Sequence, residues 1–218
     1  MTNMKPIKRL SCVLLAAGLS SRMGEQNKLL LNIEGESLVR RTAKLLVDYG
    51  LEEIVVVVGH EASLVTNELN DLPVTIVENC SYHAGQMTSV HTGIKGLTKQ
   101  TDGIIICLSD LVLLEKADLH ALHLAFDACK TAILVPQYLG ERGNPIILAH
   151  SQRQAILDGE ENLGCRKLIQ KKPHEVTVFE ADNDHVIFDL DTPEALNNLR
   201  QRMHHRRYDT KRPHNRIV

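Results

Sequence analysis

The chain has 218 residues, of which 43% are hydrophobic and 24% are charged, a composition that excludes a wholly disordered protein and fits one compact domain. Its formal net charge is −2, and its longest apolar runs are far shorter than the roughly 20 residues of a membrane-spanning helix. The polar, basic start is followed by a short apolar run without a clear cleavage site, which makes a poor signal peptide. We therefore expect a cytoplasmic protein with no membrane segment.

Apolar runs rich in valine, isoleucine and leucine alternate along the chain with stretches of helical periodicity. The runs that predict strands are residues 10–16, 54–58, 74–77, 103–108, 132–135, 145–148, 176–180 and 185–189. The first four lack polar alternation, which is typical of parallel strands covered by helices on both faces. Helical stripes between them include Leu38, Thr42, Leu45 and Leu46; Met87, Val90, Ile94 and Leu97; and Leu119, Leu122, Phe126 and Cys129. This order predicts an α/β protein with right-handed crossovers and a mostly parallel central sheet.

The end of the chain differs in composition from the rest. From Arg200 to Val218 there are seven lysines or arginines and one acid, Asp209. Such a segment could contact a nucleic acid or a polyanionic substrate, but short basic runs are typically solvated and disordered. We therefore predict one domain over residues 1–203, a disordered basic tail over residues 204–218 and no nucleic-acid partner.

The loop after the first predicted strand combines glycines, small residues and two positive charges. It runs from Ala17 to Lys28 and contains Gly18, Arg22 and Gly24. Glycines allow close approach of the backbone, and exposed amides together with fixed cations bind polyphosphates. The spacing matches neither a Walker loop nor the dinucleotide-binding glycine motif. Because ligands of open α/β sheets bind beyond the carboxyl ends of the strands, we predict a polyphosphate site here, although a plain turn would explain either glycine alone.

The end of the first predicted strand and the loop after it contain the string Leu15-Ala-Ala-Gly-Leu-Ser-Ser-Arg-Met-Gly24, which Lys28 follows. The string closely resembles the signature loop of the nucleotidyltransferases in the nucleotide-diphosphosugar transferase superfamily. Within them it is most similar to the MobA-like molybdenum cofactor cytidylyltransferases. The resemblance covers roughly residues 10–200 and implies a three-layer α/β/α, Rossmann-like nucleotidyltransferase fold. It also implies that the nucleotide is bound by Leu15, Ala16, Ala17 and Gly18. Arg22 and Lys28 would hold the triphosphate and act in catalysis.

A second segment, from Asn79 to Ser89, is similar to the family's Asn-x-x-aromatic-x-x-Gly-x-x-x-Ser motif. The resemblance adds Gly85 and Ser89 to the nucleotide-binding residues. Read without the family, Thr88 and Ser89 are candidate helix caps. Both interpretations are compatible, because the N-terminus of a helix is itself an anion site.

A third segment, Gly140-Glu-Arg-Gly143-Asn144-Pro145, is similar to the turn that opens the strand along the family's acceptor pocket. The resemblance implies that Gly143, Asn144 and Pro145 bind the acceptor. The resemblance also makes Arg166 an acceptor-binding residue; it belongs to a later family segment, in which Asn162 replaces the usual acid. That replacement predicts altered acceptor binding.

Two acidic segments supply candidate metal ligands. Asp110 follows the strand 103–108, and Asp191 lies in a segment that resembles the family's acid-x-Asp-Thr-Pro motif. Proteins commonly hold Mg²⁺ with one or two carboxylates plus substrate phosphates, so we predict that Asp110 and Asp191 bind Mg²⁺, with Asp189 in reserve. Without the family, Asp191 would be a turn or cap residue. Ser109 and Val112 replace the glycine and proline that the family usually has around the first acid.

The resemblance implies transfer of CMP from CTP to the terminal phosphate of molybdopterin, with release of pyrophosphate. A client molybdoenzyme is a possible partner of such a protein. Two alternatives stay open: a nucleotidyltransferase that uses another nucleotide or another small phosphate acceptor, and a non-catalytic molybdopterin carrier. An enzyme is favoured because a carrier would have little need of the complete charged loop.

Overall fold

The computed structural model describes residues 7–20, 26–158 and 173–209. Its strands are β1 Leu10–Ala16, β2 Asn32–Ile33, β3 Glu36–Ser37, β4 Glu53–Val58, β5 Thr75–Glu78, β6 Gly103–Leu108, β7 Ile133–Tyr138, β8 Glu141–Arg142, β9 Ile146–Ala149 and β10 Val176–Glu180. Eight of these described strands form the main sheet, in the order β10-β7-β9-β6-β1-β4-β5 with β8 paired to β7, and β2 and β3 form a small separate hairpin.

Most neighbouring strands of the main sheet run parallel. β1 pairs in parallel with β4 and β6, β4 with β5, and β7 with β10. β9 is antiparallel to both β6 and β7, so β7 has the same direction as β6. The carboxyl ends of β1, β4, β5, β6 and β7 therefore share one edge of the sheet, and β9 starts at that edge.

Helices cover both faces of this sheet. The described helices are α1 Leu38–Tyr49, α2 Ala62–Asn67, α3 Gln86–Gly96, α4 Lys116–Ala128, α5 Arg153–Leu157 and α6 Pro193–Asp209. Along β1 the side chains alternate between two cores: Cys12 and Leu14 pack with residues of α1 and α4, whereas Val13 and Leu15 pack with residues of α3. The predicted three-layer α/β/α architecture with a mostly parallel sheet is confirmed.

One predicted element near the carboxyl end differs from the structure. The run 185–189 is not a strand; it begins with a 3-10 turn, Asp184–Val186, because the Asn183 side chain accepts a hydrogen bond from the His185 amide at 3.0 Å. Helix α6 continues beyond residue 203 to Asp209, and the boundary between domain and tail stays a prediction. Within the described ranges, no helix is both long enough and apolar enough to cross a bilayer.

Gly93 allows α3 to pack directly on the sheet. An ideal Cβ at this position would lie 2.2 Å from a methyl carbon of Val13 and 2.8 Å from one of Val57. We expect Gly93→Ala to lower the free energy of unfolding by about 1–3 kcal/mol through overpacking, although alanine favours helices. Urea unfolding followed by circular dichroism measures this. Gly96→Ala is the matched control, because its Cβ would come no closer than 3.1 Å to Val77; equal stability of the two variants would contradict the packing argument.

Candidate active site

A cleft of about 340 Å³ opens at the shared carboxyl edge of the sheet. This volume lies within the range of small-molecule binding sites. The cleft is lined by Leu15, Ala17, Gly18, Lys28, Leu29, Tyr82, Gln86, Ser89, Leu108, Ser109, Asp110, Asp189 and Asp191. The structure thus brings together most of the described residues that were predicted to bind the nucleotide and the metal.

Some predicted residues lie elsewhere. Ala16 is buried in β1 and faces the hydrophobic core, while Gly85 precedes α3 without lining the cleft. Arg22 and Arg166 lie outside the described residues. These four assignments stay predictions.

Lys28 is held at its main chain by the two ends of the loop that precedes it. Its amide donates to Ser20 Oγ at 3.2 Å, and that hydroxyl lies 3.4 Å from Asn27 Oδ1. Asn27 also caps the 3-10 turn Lys28–Leu30 by accepting from the Leu29 amide at 3.1 Å. These contacts fix the point from which the Lys28 side chain enters the cleft.

The Lys28 ammonium forms ion pairs with two carboxylates from distant parts of the chain. Its Nζ lies 2.5 Å from Asp110 Oδ2 and also donates to Asp191 Oδ1. The three side chains are only 11%, 13% and 15% exposed. Burial alone would lower the pKa of Lys28, but the charge and hydrogen bonds of Asp110, together with those of Asp191, outweigh it and raise that pKa. The group is therefore a cation at neutral pH.

Asp110, Asp189 and Asp191 form a carboxylate cluster. One oxygen from each lies within 4.8 Å of the others. Partial desolvation, and then the charges of Asp191 and Asp110, raise the pKa of Asp189. Within the part of the chain that the structure describes, the buried Asp110 Oδ1 has no hydrogen-bond partner. Carboxylate oxygens are the ligands that Mg²⁺ and Mn²⁺ prefer, so this donor set fits a divalent cation.

Ser109 and Val112, the two departures from the family pattern, have defined places beside Asp110. Ser109 donates to the Leu15 carbonyl through both its Oγ, at 2.7 Å, and its amide, at 3.2 Å. Thr42 Oγ donates to the Ser109 carbonyl at 3.1 Å. Val112 is 2% exposed and packs in a small core with Leu190. The Asp110 side chain thus remains in the cleft without the family's glycine and proline.

The Asn79 segment forms the opposite wall of the cleft. Asn79 is buried, and its Nδ2 donates to Thr88 Oγ at 2.8 Å and to Ser89 Oγ at 2.9 Å. Thr88 and Ser89 do not cap α3, because Gly85, with a φ of 110°, occupies the N-cap position. Ser89 is instead held in the first turns of the helix, where it lines the cleft.

Tyr82 and Gln86 also line the cleft, although the sequence argument gave neither a role. An ideal Cβ on Gly59 would lie 3.0 Å from two atoms of Tyr82, so the ring packs where only glycine leaves space. The Tyr82 and His83 rings lie 3.9 Å apart between centroids. The aromatic position of the Asn79 motif was the available signal for Tyr82.

The predicted acceptor turn lies at the same edge of the sheet but does not line the cleft. Gly143 donates to the Pro136 carbonyl at 2.8 Å, and Asn144 donates to the Val186 carbonyl at 2.7 Å. A Cβ on Gly143 would be 2.3 Å from that Val186 oxygen, so the close approach requires glycine. The Leu190 amide donates to the Asp110 carbonyl at 3.2 Å. The segment 186–190 therefore bridges the acceptor turn and Asp110.

A recognised domain signature covers most of the site, with Asp189 and Asp191 lying beyond its last matched residue, and curated relatives cover most of the chain. The profile described as "MobA-like NTP transferase domain" matches residues 12–176. Nicotine blue oxidoreductase of Paenarthrobacter nicotinovorans is 27% identical, over 86% of this chain and 94% of the relative. The molybdenum cofactor cytidylyltransferase of Escherichia coli is 24% identical, over 88% and 96%. The purine catabolism protein PucB of Bacillus subtilis is 31% identical, also over 88% and 96%.

Solved structures share this fold over nearly their whole length. A nucleotidyl transferase from Methanothermobacter gives a TM-score of 0.76 at 20% identity, covering 89% of this chain and 97% of that chain. A Mycobacterium tuberculosis protein in complex with manganese gives 0.71 at 22% identity, with coverage of 88% and 97%. CMP:2-keto-3-deoxy-manno-octonic acid synthetase complexed with CTP gives 0.74 at 12% identity, with coverage of 91% and 99%. These likenesses establish the fold.

Proposed function

The chain belongs to the MobA-like NTP transferase family, and on that premise we propose that it transfers CMP from CTP to the terminal phosphate of molybdopterin, releasing pyrophosphate. Nucleotidyl transfer is the activity of the family. The observation that carries the proposal is the meeting of Lys28, Asp110 and Asp191 beside Leu15 and Gly18 in one cleft. The cytidylyltransferase relative from Escherichia coli supports the choice of CTP and molybdopterin.

In the proposed reaction Lys28 and Arg22 bind the triphosphate and stabilise the departing pyrophosphate. Negative charge grows on that group as the bond between the α-phosphorus and the bridging oxygen breaks, and a cation already in position lowers the barrier. Lys28 suits this role because its ammonium is largely buried, and charges act more strongly where water is excluded.

The base and ribose would contact Leu15, Ala17 and Gly18 in the cleft, together with Ser89 from the first turns of α3. The predicted contacts of Ala16 and Gly85, which do not line the cleft, stay predictions. The Leu15 carbonyl already accepts two hydrogen bonds from Ser109. That carbonyl is therefore already engaged within the protein, and other backbone groups of residues 15–18 would meet the base and ribose.

Asp110 and Asp191, with Asp189 beside them, would hold Mg²⁺. When bound, the cation would supply positive charge that neutralises the phosphate oxygens. The buried Asp110 Oδ1, which has no hydrogen-bond partner among the described residues, supports this assignment. The manganese complex of the Mycobacterium tuberculosis neighbour supports a divalent cation in this fold.

The acceptor would bind at Gly143, Asn144 and Pro145, with Arg166 as a further contact. An oxygen of its terminal phosphate attacks the α-phosphorus, a new P–O bond forms, and pyrophosphate leaves with the electrons of the broken bond. No nucleophilic side chain is required, so the protein contributes alignment and charge stabilisation. The bridge from the acceptor turn through Val186 to Asp110 supports this arrangement.

A second candidate is nucleotidyl transfer to a different small acceptor. The relatives support this candidate because their names do not agree on one substrate. PucB, which is named a purine catabolism protein, is 31% identical to this chain, whereas the molybdenum cofactor cytidylyltransferase is 24% identical. The cytoplasmic location, the client molybdoenzyme and the domain limit at residue 203 stay predictions.

The deciding experiment supplies purified protein and Mg²⁺ with CTP or GTP, each with and without molybdopterin. When CTP and molybdopterin are both present, we expect release of pyrophosphate and a molybdopterin product whose mass has increased by that of the transferred CMP group. A nucleotidylated product from GTP or from another phosphate acceptor would favour the second candidate. Tight molybdopterin binding without any pyrophosphate release would support the carrier and overturn the enzyme.

A further inference from the structure

Lys28 contacts the same carboxylates that form the proposed cation site. Its Nζ bonds Asp110 Oδ2 and Asp191 Oδ1, and these two residues with Asp189 make up the cluster whose oxygens lie within 4.8 Å of one another. Even if a dication used the other oxygen of Asp110, Oδ1, it would lie beside the ammonium. The dication and the Lys28 ammonium would then be close neighbours, and two positive charges close together repel each other strongly where water is largely excluded.

An ammonium that loses these partners needs another anion nearby. The Lys28 side chain is 11% exposed, and a buried charge without a counter-ion is strongly destabilising. The proposed nucleotide offers such an anion, because its triphosphate would enter the cleft that Lys28 lines together with Gly18 and Ser89.

The Lys28 side chain can turn while its main chain stays in place. The amide is bonded to Ser20 Oγ, and the carbonyl accepts from the Leu31 amide at 3.1 Å. Lysine carries its charge on a flexible four-carbon stem. The ammonium can therefore change partners without movement of the loop.

We propose that Lys28 acts as a latch on Asp110 and Asp191, and that a divalent cation binds these carboxylates tightly only when a nucleoside triphosphate draws the ammonium away. This inference rests on the proposed nucleotide site. It makes the binding of cation and nucleotide mutually dependent: each strengthens the other by the same factor. The enzyme would then keep little metal in the cleft until its substrate is present.

The test measures the Kd of Mn²⁺ by electron paramagnetic resonance of the free ion, with and without a CTP analogue that carries a methylene between its α- and β-phosphates. Binding of Mn²⁺ to the analogue itself is measured separately and subtracted. For the unmodified protein we expect the analogue to strengthen Mn²⁺ binding at least about tenfold. Lys28→Met should bind Mn²⁺ about tenfold more tightly without the analogue and gain less than about threefold from it.

Lys44→Met is the matched control, because Lys44 is 48% exposed and pairs with Glu36 at 2.9 Å outside the cleft. It should show the Mn²⁺ affinity and the coupling of the unmodified protein. Equal Mn²⁺ affinity of Lys28→Met and the unmodified protein without nucleotide would overturn the latch, as would absence of coupling in the unmodified protein when the analogue does bind. A third outcome is that the analogue does not bind while Lys28→Met still binds Mn²⁺ more tightly than the unmodified protein. That result would confirm that Lys28 and the cation compete for Asp110 and Asp191, and it would show that the proposed nucleotide site is wrong.

Discussion

Replacing Lys28 by alanine should lower kcat by about two powers of ten or more, the usual effect of removing one group that stabilises transition-state charge. Among the described residues that line the cleft, Lys28 is the only lysine or arginine. Its ammonium contacts Asp110 and Asp191 and so lies in the cleft that the triphosphate would enter. The measurement is steady-state pyrophosphate release at saturating CTP and Mg²⁺, using the acceptor identified in the substrate assay.

Lys44→Ala serves as the control for the loss of a lysine from the surface, and its kcat should stay near that of the unmodified protein. Lys28→Arg keeps the charge and should retain more activity than the alanine variant, although a guanidinium differs in shape from an ammonium. Thermal unfolding of each variant checks that the fold survives. A near-normal kcat for Lys28→Ala would remove the proposed role of this residue in catalysis.

Much of the fold could be predicted because its central strands are continuous apolar runs. Residues 10–16 and 103–108 were predicted with the bounds that the structure has for β1 and β6, since strands buried on both faces leave a strong signal in the sequence. The antiparallel direction of β9 could not be predicted, because strand direction depends on how the intervening chain crosses the sheet. The prediction of a strand over residues 185–189 is wrong, because Asn183 caps a 3-10 turn at the start of this run.

The candidate site could be predicted as a set of residues but not as a set of contacts. Parallel strands end at one edge, so motifs that follow strands were expected to meet there. Lys28 lies 82 residues from Asp110 and 163 from Asp191, and no periodicity relates side chains at such separations. The ion pairs therefore required the structure, as did the place of Tyr82 against Gly59. The replacement of glycine by Ser109 likewise became understandable only through its bonds to the Leu15 carbonyl.

Replacing Asp110 by asparagine should lower kcat by about a hundredfold or more at moderate Mg²⁺, since the proposed metal ligand would lose its charge. Asp110 lies just after β6 and contributes the oxygen that Lys28 binds at 2.5 Å, while its second oxygen is buried without a described partner. Asparagine has nearly the same shape, so the variant tests charge rather than packing. Raising the Mg²⁺ concentration should recover part of the lost rate, and this recovery distinguishes weakened metal binding from a disturbed fold.

Two matched asparagine variants make this test specific. Asp102→Asn removes a carboxylate that accepts from the Arg9 amide at 2.7 Å at the opposite edge of the sheet, so its kcat should be close to normal. Asp189→Asn removes the reserve ligand and should have a smaller effect than Asp110→Asn, because Asp110 has a buried oxygen without a hydrogen-bond partner among the described residues. If Asp189→Asn proved the more damaging of the two, the assignment of Asp110 and Asp191 as the principal ligands would be wrong, and the cation would depend on the pair Asp189 and Asp191 instead.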